Sequence, residues 1–194
     1  MLLDRYPKEF KLDENTSAVI RPMRRLDEDA VLDFFKTLNE EDCLYLRNDV
    51  SNPRVIRSWF QNIDYNRVLP LLVFIGDEVA ANGTLHRKPF SWMRHLGGIR
   101  IVVAPAYRRF GVARILAKEL FDNARDEGLE KLTAEVLQNQ DVALKVFSRL
   151  GFYKEAILKN YVLDAKGKRH DLVQMTMDIG DTFSNAKRPN EATQ

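Results

Sequence analysis

The stretch Arg108-Arg109-Phe110-Gly111-Val112-Ala113 joins an apolar run, residues 99–103, to a strongly patterned helical segment, residues 112–125. The first turn of a helix has backbone N–H groups without intrahelical acceptors and carries partial positive charge, so anions bind there favourably. Gly111 lets the backbone approach a ligand without a Cβ in the way, and the two arginines add positive charge. The pattern therefore predicts a pyrophosphate-binding loop, with a plain strand-to-helix connector as the alternative. It is not a Walker-type loop, because no Lys-Ser or Lys-Thr follows.

Length and composition are those of a single globular domain. The chain has 194 residues, of which 45% are hydrophobic and 30% charged, and a net charge of +2 argues against a general nucleic-acid binder. One cysteine and three dispersed histidines exclude a disulfide framework and indicate no metal site. The longest apolar run, residues 68–75, is too short to cross a membrane, and the N-terminus lacks a signal-peptide core. We expect a cytoplasmic protein.

The first half of the chain predicts one strand followed by two helices. Residues 18–23 read as a short strand near a sheet edge, because they are β-branched and end near a proline. An amphipathic helix follows, with Asp27 at the N-cap position. Its apolar residues recur every four positions: Leu26, Ala30, Phe34 and Leu38. Asn52 followed by Pro53 provides the N-cap and first-turn proline of a second helix.

The second half predicts six further strands and two further helices. Gly76-Asp77 is a two-residue turn between strands 71–75 and 79–86, which is typical of a β-hairpin. The strand over residues 97–103 is rich in Ile and Val, which indicates burial on both faces. The remaining elements are a helix over 112–125, a strand over 132–137, a short helix from an Asp141 cap to Leu150, and strands over 153–163 and 170–179.

These elements predict an α/β fold, with a mixed central sheet of about seven strands flanked by about four helices. The strands before and after the 112–125 helix should be parallel, with a right-handed connection. Residues 18–179 are expected to form one domain, preceded by an extension, residues 1–17, that can pack on it. Residues 180–194 are polar, and we expect this tail to be disordered.

Two motifs and the order of elements resemble one known family over residues 18–179. Arg108 to Ala113 fits the (Gln/Arg)-x-x-Gly-x-(Gly/Ala) loop of the GNAT superfamily of N-acetyltransferases. Leu150-Gly151-Phe152 fits the Leu-Gly-Phe signature of the same superfamily. Within it, the chain is loosely most similar to the acetyltransferase domain of bacterial protein-lysine acetyltransferases.

The resemblance implies that acetyl-CoA, or another acyl-CoA, is the co-substrate and that no metal is needed. By the matched motif, backbone amides would hold the pyrophosphate, with Arg108 and Arg109 nearby. These amides belong to Phe110, Gly111, Val112, Ala113 and Arg114. The pantetheine arm would pair with the backbone of Ile101, Val102 and Val103, where this strand splays from the 132–137 strand. Asn139 and Gln140 straddle the position where relatives have an asparagine that touches pantetheine, although Asn139 can instead cap the following helix.

The resemblance also implies direct attack of a neutral amine on the thioester in a ternary complex, with a backbone N–H near Val103 polarising the oxyanion. The sequence departs from the family at two catalytic positions. Many members have a tyrosine general acid where this chain has Phe147, and lysine acetyltransferases have a glutamate where the best match here is Gly98. Either the mechanism or the subfamily assignment therefore differs.

Three residues are candidates for the proton transfers. Related ribosomal-protein acetyltransferases have a catalytic glutamate twelve residues before their tyrosine, the separation of Glu135 from Phe147. Glu135 is therefore the best general-base candidate, although a strand glutamate can equally face solvent or pair with an arginine. Tyr153 and Tyr161 could replace the missing acid, since the last strands border the acceptor cleft in the family; the alternative for both is packing.

The most favoured function is thus an acyl-CoA-dependent N-acyltransferase acting on a small-molecule or protein amine. A non-catalytic acyl-CoA-binding regulatory module is the alternative, because of Phe147 and Gly98. Nucleic-acid binding is disfavoured by the balanced charge. The acceptor, the acyl chain and the oligomeric state are not determined by the sequence. Four cations could meet the CoA 3′-phosphate or an acidic substrate, or be scattered surface charge: Arg87, Lys88, Arg94 and Arg100.

Overall fold

The computed structural model describes residues 2–44, 46–164 and 166–180, and it confirms the predicted α/β fold. The strands within these ranges are β1 (Lys8–Lys11), β2 (Ser17–Pro22), β3 (Val68–Ile75), β4 (Glu78–Arg87), β5 (Leu96–Val103), β6 (Lys131–Leu137), β7 (Tyr153–Leu163) and β8 (Arg169–Asp178). The helices are α1 (Glu28–Lys36), α2 (Glu40–Leu44), α3 (Pro53–Gln61), α4 (Val112–Asp126) and α5 (Asp141–Arg149).

One mixed sheet contains all eight strands, in the spatial order β1-β2-β3-β4-β5-β6-β8-β7. Neighbouring strands run antiparallel except β5 and β6, which are parallel and are joined through α4. A parallel pair needs such a crossover, because the chain must return to the starting edge of the sheet. The predicted parallel pair around the 112–125 helix is confirmed.

The sheet has one more strand than the sequence predicted, because the N-terminal extension contributes β1. Lys8 pairs opposite Ile20 of β2. The extension is also tied to α4, since the Tyr6 hydroxyl donates a hydrogen bond to Glu119 at 2.8 Å and Lys8 Nζ lies 2.5 Å from the same carboxylate. Glu119 is buried, and these two donors supply the polar partners that a buried carboxylate needs. At the other end, residues 181–194 of the predicted tail lie outside the described residues.

Apolar side chains cover both faces of the sheet at its centre. On one face, α4 packs Leu116 and Leu120 against the strands, and Gly83 allows the close approach, since a Cβ there would lie 2.8 Å from the Leu116 side chain. On the other face, α1 and α3 pack Phe34 and Ile56 against the sheet. The two layers hold β3, β4 and β5 between them, and this fixes the strands that border the site described below.

Local details of the helices differ from prediction in two places. The Asn52 cap is confirmed, because its side chain accepts a hydrogen bond from the Arg54 N–H at 3.0 Å. Leu26 does not belong to the apolar stripe of the first helix: it precedes α1 and is 95% exposed, because the chain is still in a 3₁₀ turn at that point. Asp141 is not a cap but the first residue of α5, whose N-cap is Gln140.

Asp27 takes the N-cap position of α1 as predicted, but its carboxylate has another use. Both of its oxygens accept hydrogen bonds from the Arg21 guanidinium, each at 2.7 Å, and one also accepts the Arg24 N–H. Burial alone would raise the pKa of Asp27, yet these donors outweigh it and hold the pKa below its ordinary value. The pair ties the start of α1 to β2.

Candidate active site

The parallel strands β5 and β6 separate soon after they begin. They pair across only three positions, from Leu96 opposite Lys131 to Gly98 opposite Thr133. Beyond this point β5 stays paired with β4 as far as Val103, while β6 stays paired with β8 as far as Leu137. The strands therefore diverge towards their C-terminal ends and leave an opening in the sheet.

This divergence corrects the expectation that residues 97–103 are buried on both faces. Gly97 and Ile99 are buried, whereas Arg100, Ile101, Val102 and Val103 are half-buried. The difference arises because, in the part of the chain that the structure describes, no strand covers the β6-facing edge of β5 after Gly98. The predicted pantetheine-binding residues Ile101, Val102 and Val103 thus lie along the opening.

The loop that was predicted to bind pyrophosphate follows β5 directly and leads into α4. Arg109 and Gly111 both adopt left-handed backbone conformations, with φ of 72° and 79°. Gly111 is the N-cap of α4, and a Cβ built on it would meet no atom within 4 Å, so the space beside it is open. The N–H groups of Arg114 and Ile115 donate back to the Gly111 carbonyl at 3.0 and 3.1 Å. The N–H groups just before them lie at the free end of the helix.

The Arg108 side chain makes two contacts within the protein. Its Nη2 donates to the Asp42 carboxylate at 2.6 Å, and its Nε donates to the Val103 carbonyl at 3.2 Å. This side chain therefore ties the loop to α2 and to the end of β5, and Asp42 neutralises its charge. Arg109 and Arg114 make no ion pair with any described residue, so their charges are available beside the open end of α4.

A group of polar side chains lies on the sheet face opposite α4, beside the opening. Gly97 lies on the side of the sheet that α4 covers, because a Cβ there would lie 2.8 Å from Leu129, which belongs to the same apolar cluster as Leu116 of α4. Residues alternate between the faces of a strand, so Gly98 and Arg100 face the other way. The same register gives the members of what we call the polar face: Thr84 and His86 on β4, Arg100 on β5, and Thr133 and Glu135 on β6. Arg47, from the loop after α2, joins them by donating a hydrogen bond to the Glu135 carboxylate.

Burial and like charges determine the protonation of the polar face. Burial, followed by the nearby cations Arg100 and Arg47, lowers the pKa of His86 to about 4. Its ring is therefore neutral at pH 7, and Nε2 shares a hydrogen bond of 2.9 Å with the Thr84 hydroxyl. Burial also lowers the pKa of Arg100, as does Arg47, while Glu135 opposes them. A guanidinium nevertheless stays charged in a protein.

The structure places the three predicted catalytic residues in different surroundings. Glu135 lies on the polar face with 45% of its side chain exposed, and it pairs with Arg47 as the alternative interpretation allowed. The Tyr153 hydroxyl donates to Asp178 at 2.8 Å, near the end of the sheet where β6 begins. Burial, followed by this hydrogen bond, raises the pKa of Tyr153. Tyr161 is 65% exposed in an irregular part of β7, towards the end of the sheet where the opening lies.

Asn139 and Phe147 lie beyond β6, at two further positions that the family resemblance singled out. Asn139 lies in the exposed turn between β6 and α5 and is not the cap of that helix, since Gln140 takes this position. Phe147 packs in the core on α5, with its ring centroid 5.2 Å from that of Phe152. The position that holds a tyrosine acid in many relatives is thus filled here by a packing residue.

His86 of the polar face and the adjoining Arg47 were not predicted to have a role. A signal for His86 was present in β4, where Asn82, Thr84 and His86 are polar at every second position. This alternation marks one polar face on a strand whose other face is apolar. No local pattern identifies Arg47, because its loop reaches Glu135 only through the tertiary fold.

Comparison with known proteins identifies the family. Residues 29–152 match the Acetyltransferase (GNAT) family, and the chain belongs to it. A ribosomal protein bS18-alanine N-acetyltransferase of Salmonella typhimurium is 32% identical over 79 residues, which cover 41% of this chain and 53% of that protein. Thialysine N-epsilon-acetyltransferase of Caenorhabditis elegans is 28% identical over 93 residues, or 47% and 58% of the two chains. The chain spans about half the length of the curated relatives it matches.

Solved structures have the same fold at low sequence identity. The GNAT domain of S. lividans PAT gives a TM-score of 0.74 at 20% identity, covering 90% of this chain and 97% of that one. The yncA protein of Salmonella typhimurium, solved with its cofactor acetyl-CoA, gives 0.71 at 18% identity, covering 90% and 99%. Within the described residues, no helix is long and apolar enough to cross a membrane, and no three His, Cys, Asp or Glu side chains cluster to hold a metal.

The depressed pKa of His86 gives a direct test of the polar face. An NMR titration of the imidazole should show a midpoint of about 4. Between about pH 6.5 and that value, the unfolded chain binds a proton at His86 that the folded protein does not yet bind. The free energy of unfolding should therefore fall as the pH is lowered through this range. Arg100→Gln should raise the midpoint by removing one cation, while Arg94→Gln, on the exposed β4–β5 loop, should leave it unchanged. A wild-type midpoint near 6.5 would contradict the burial of this ring.

Proposed function

We propose that this protein is an acyl-CoA-dependent N-acyltransferase that transfers an acetyl or other acyl group to an amine. The observation that carries the proposal is the opening between β5 and β6 next to the left-handed Gly111 at the start of α4. Membership of the GNAT family supports it, as do relatives whose names describe acetylation of an alanine and of thialysine. A neighbouring structure solved with acetyl-CoA supports the co-substrate.

The residues around the opening fit an acyl-CoA. The open space beside Gly111 leaves room for a phosphate to reach the first N–H groups of α4, with Arg109 and Arg114 as nearby cations. The half-buried backbone of Ile101, Val102 and Val103 offers an edge to the pantetheine amides. When bound, the acyl-CoA supplies the thioester carbonyl that the amine attacks, and a backbone N–H near Val103 would stabilise the developing negative charge.

Glu135 is the proposed general base. It lies on the strand across the opening from β5, and its partly exposed carboxylate can take a proton from the amine directly or through water. Arg47 holds one carboxylate oxygen and leaves the other without a protein partner among the described residues. The ion pair thus orients the base without occupying it fully.

Tyr161 is the better of the two candidates for a general acid. Its side chain is exposed towards the end of the sheet where β5 and β6 diverge. The Tyr153 hydroxyl, in contrast, already donates a hydrogen bond to Asp178 at the opposite end of the sheet. A non-catalytic acyl-CoA-binding module remains the second candidate function, favoured by the apolar packing of Phe147 at the usual position of the acid.

Replacement of Gly111 tests the co-substrate site. Gly111→Gln should weaken acetyl-CoA binding at least about tenfold in calorimetry, because a side chain at positive φ strains the loop by roughly 1–2 kcal/mol and fills the space for the phosphate. Gly128→Gln is a matched control, since Gly128 has a φ of 72° and equally open surroundings at the other end of α4. The Gly128→Gln variant should be less stable than the wild type but should bind acetyl-CoA with the same affinity. Equal losses of affinity in both variants would contradict the proposed cradle.

Replacement of Glu135 tests catalysis separately from binding. Glu135→Gln keeps the shape of the side chain and a partner for Arg47, but it cannot take a proton. We expect kcat to fall about 10²- to 10⁴-fold in a CoA-release assay with an amine panel, with acetyl-CoA affinity unchanged. Glu9→Gln, an exposed glutamate on β1 at the far edge of the sheet, is the control. Tight acetyl-CoA binding by the wild type with no turnover of any amine would favour the binding module.

The two tyrosines can be compared with paired substitutions to phenylalanine. Tyr161→Phe should lower kcat at least about tenfold if this hydroxyl returns a proton during transfer. Tyr153→Phe should instead lower stability by about 1 kcal/mol, through the lost hydrogen bond to Asp178, and leave kcat close to the wild-type value. Equal kcat values for wild type and Tyr161→Phe would show that the proton comes from another source, such as water.

A further inference from the structure

Arg100 is a half-buried cation whose guanidinium makes no hydrogen bond or ion pair with any residue that the structure describes. It differs in this respect from other arginines that pack against the fold. Arg21 is paired with Asp27, Arg87 with Glu127, and Arg108 with Asp42. None of its nitrogens is among the buried atoms that lack a hydrogen-bond partner, so solvent still reaches the guanidinium. Arg100 therefore offers an unpaired cation to a ligand, whose negative charge would replace the hydration lost on binding.

None of the described residues around Arg100 pairs with its guanidinium as an anion. Glu135 is the carboxylate whose charge acts on Arg100, but its ion pair is made with Arg47. His86 is neutral at pH 7 and its Nε2 is shared with Thr84. The polar face with Arg47 thus carries two guanidinium groups and one carboxylate. The excess is one positive charge beside the proposed base.

The backbone around Arg100 leaves this charge accessible. Gly98 precedes it on the same face of β5 and adds no side chain between His86 and Thr133, although a Cβ there would make only ordinary contacts at 3.7 Å or more. Arg47 and Glu135 are both about half exposed. A substrate group can therefore reach Arg100 from the side on which Glu135 would accept the proton of the amine.

We propose that Arg100 binds a carboxylate of the acceptor, so that the preferred substrates are amines that also carry a carboxylate group. This inference rests on the proposed function, since it names the substrate class of the same site. The planar guanidinium fork matches the two oxygens of a carboxylate. One such group would balance the excess charge of the polar face, and it would hold the amine near Glu135.

A carboxylate could also come from the acyl donor, as in succinyl-CoA. The acceptor is the better source, because Arg100 lies on the polar face with Glu135, the residue proposed to take the proton of the amine. The experiment must nevertheless vary both substrates.

The test compares amines in matched pairs, each as the free carboxylate and as the primary amide. Suitable pairs are amino acids and short peptides, and rates are corrected for the fraction of neutral amine. With acetyl-CoA, the wild type should favour the carboxylate member at least about tenfold in kcat/KM, as expected for a charge-assisted hydrogen bond. In Arg100→Gln this ratio should fall to about one. Arg100→Lys, which keeps the charge but loses the fork, should retain part of it.

Arg94→Gln provides the matched control, because it removes the same charge from an exposed loop, and it should keep the wild-type ratio. A wild-type ratio near one, or a ratio that survives Arg100→Gln, would overturn the inference and leave the acyltransferase proposal standing. A preference for succinyl-CoA over acetyl-CoA that disappears in Arg100→Gln would place the carboxylate on the donor and overturn the assignment to the acceptor.

If the proposed function is wrong, the result will differ: no CoA will be released with any of the amine pairs, whether the donor is acetyl-CoA or succinyl-CoA. In that case the same pairs are titrated by calorimetry into the protein saturated with CoA. A lower Kd for the carboxylate members that depends on Arg100 would support the binding role without turnover. Equal Kd values within each pair, or no detectable binding of either member, would overturn it.

Discussion

The separation of β5 from β6 is the constraint on which the site depends. The strands pair only as far as Gly98 and Thr133, because each then follows its other neighbour in the sheet. Backbone groups along a strand must find hydrogen-bond partners, so the exposed edge of β5 suits an extended ligand. The same divergence places the start of α4, with the left-handed Gly111, at one end of the opening. One departure from regular pairing thus creates both the binding edge and the anion site.

Two arginine–carboxylate pairs join the segment around α2 to opposite parts of the site. Asp42 on α2 receives Arg108 from the loop before α4, and Arg47, five positions later, reaches Glu135 on β6. These pairs are partly exposed, so each contributes little to global stability. Their effect is to position the loop before α4 and the Glu135 carboxylate, because both pairs attach to the same short segment of chain. Arg100 lies on the polar face and makes no such pair with a residue that the structure describes.

Much of the fold was predictable because local patterns and tertiary packing agree. The period of apolar residues predicted α4, and the Asn52-Pro53 pair predicted the start of α3. Predictions failed where a local pattern had competing explanations. Leu26 matched the helical period but precedes α1, and Asp141 looked like a cap although Gln140 takes that position. Side-chain identity alone does not show which backbone conformation a residue adopts at a helix end.

The sequence by itself determined the class of fold, the family resemblance and the position of the loop around Gly111, because these depend on residue type and on short-range spacing. Through the resemblance to ribosomal-protein acetyltransferases, the separation of Glu135 from Phe147 also made Glu135 the candidate base. Only the tertiary structure brought Arg47 to Glu135 and turned Arg108 towards Asp42. It alone left Arg100 without a partner among the described residues. Contacts between residues tens of positions apart depend on strand register and loop path, and no local pattern encodes either.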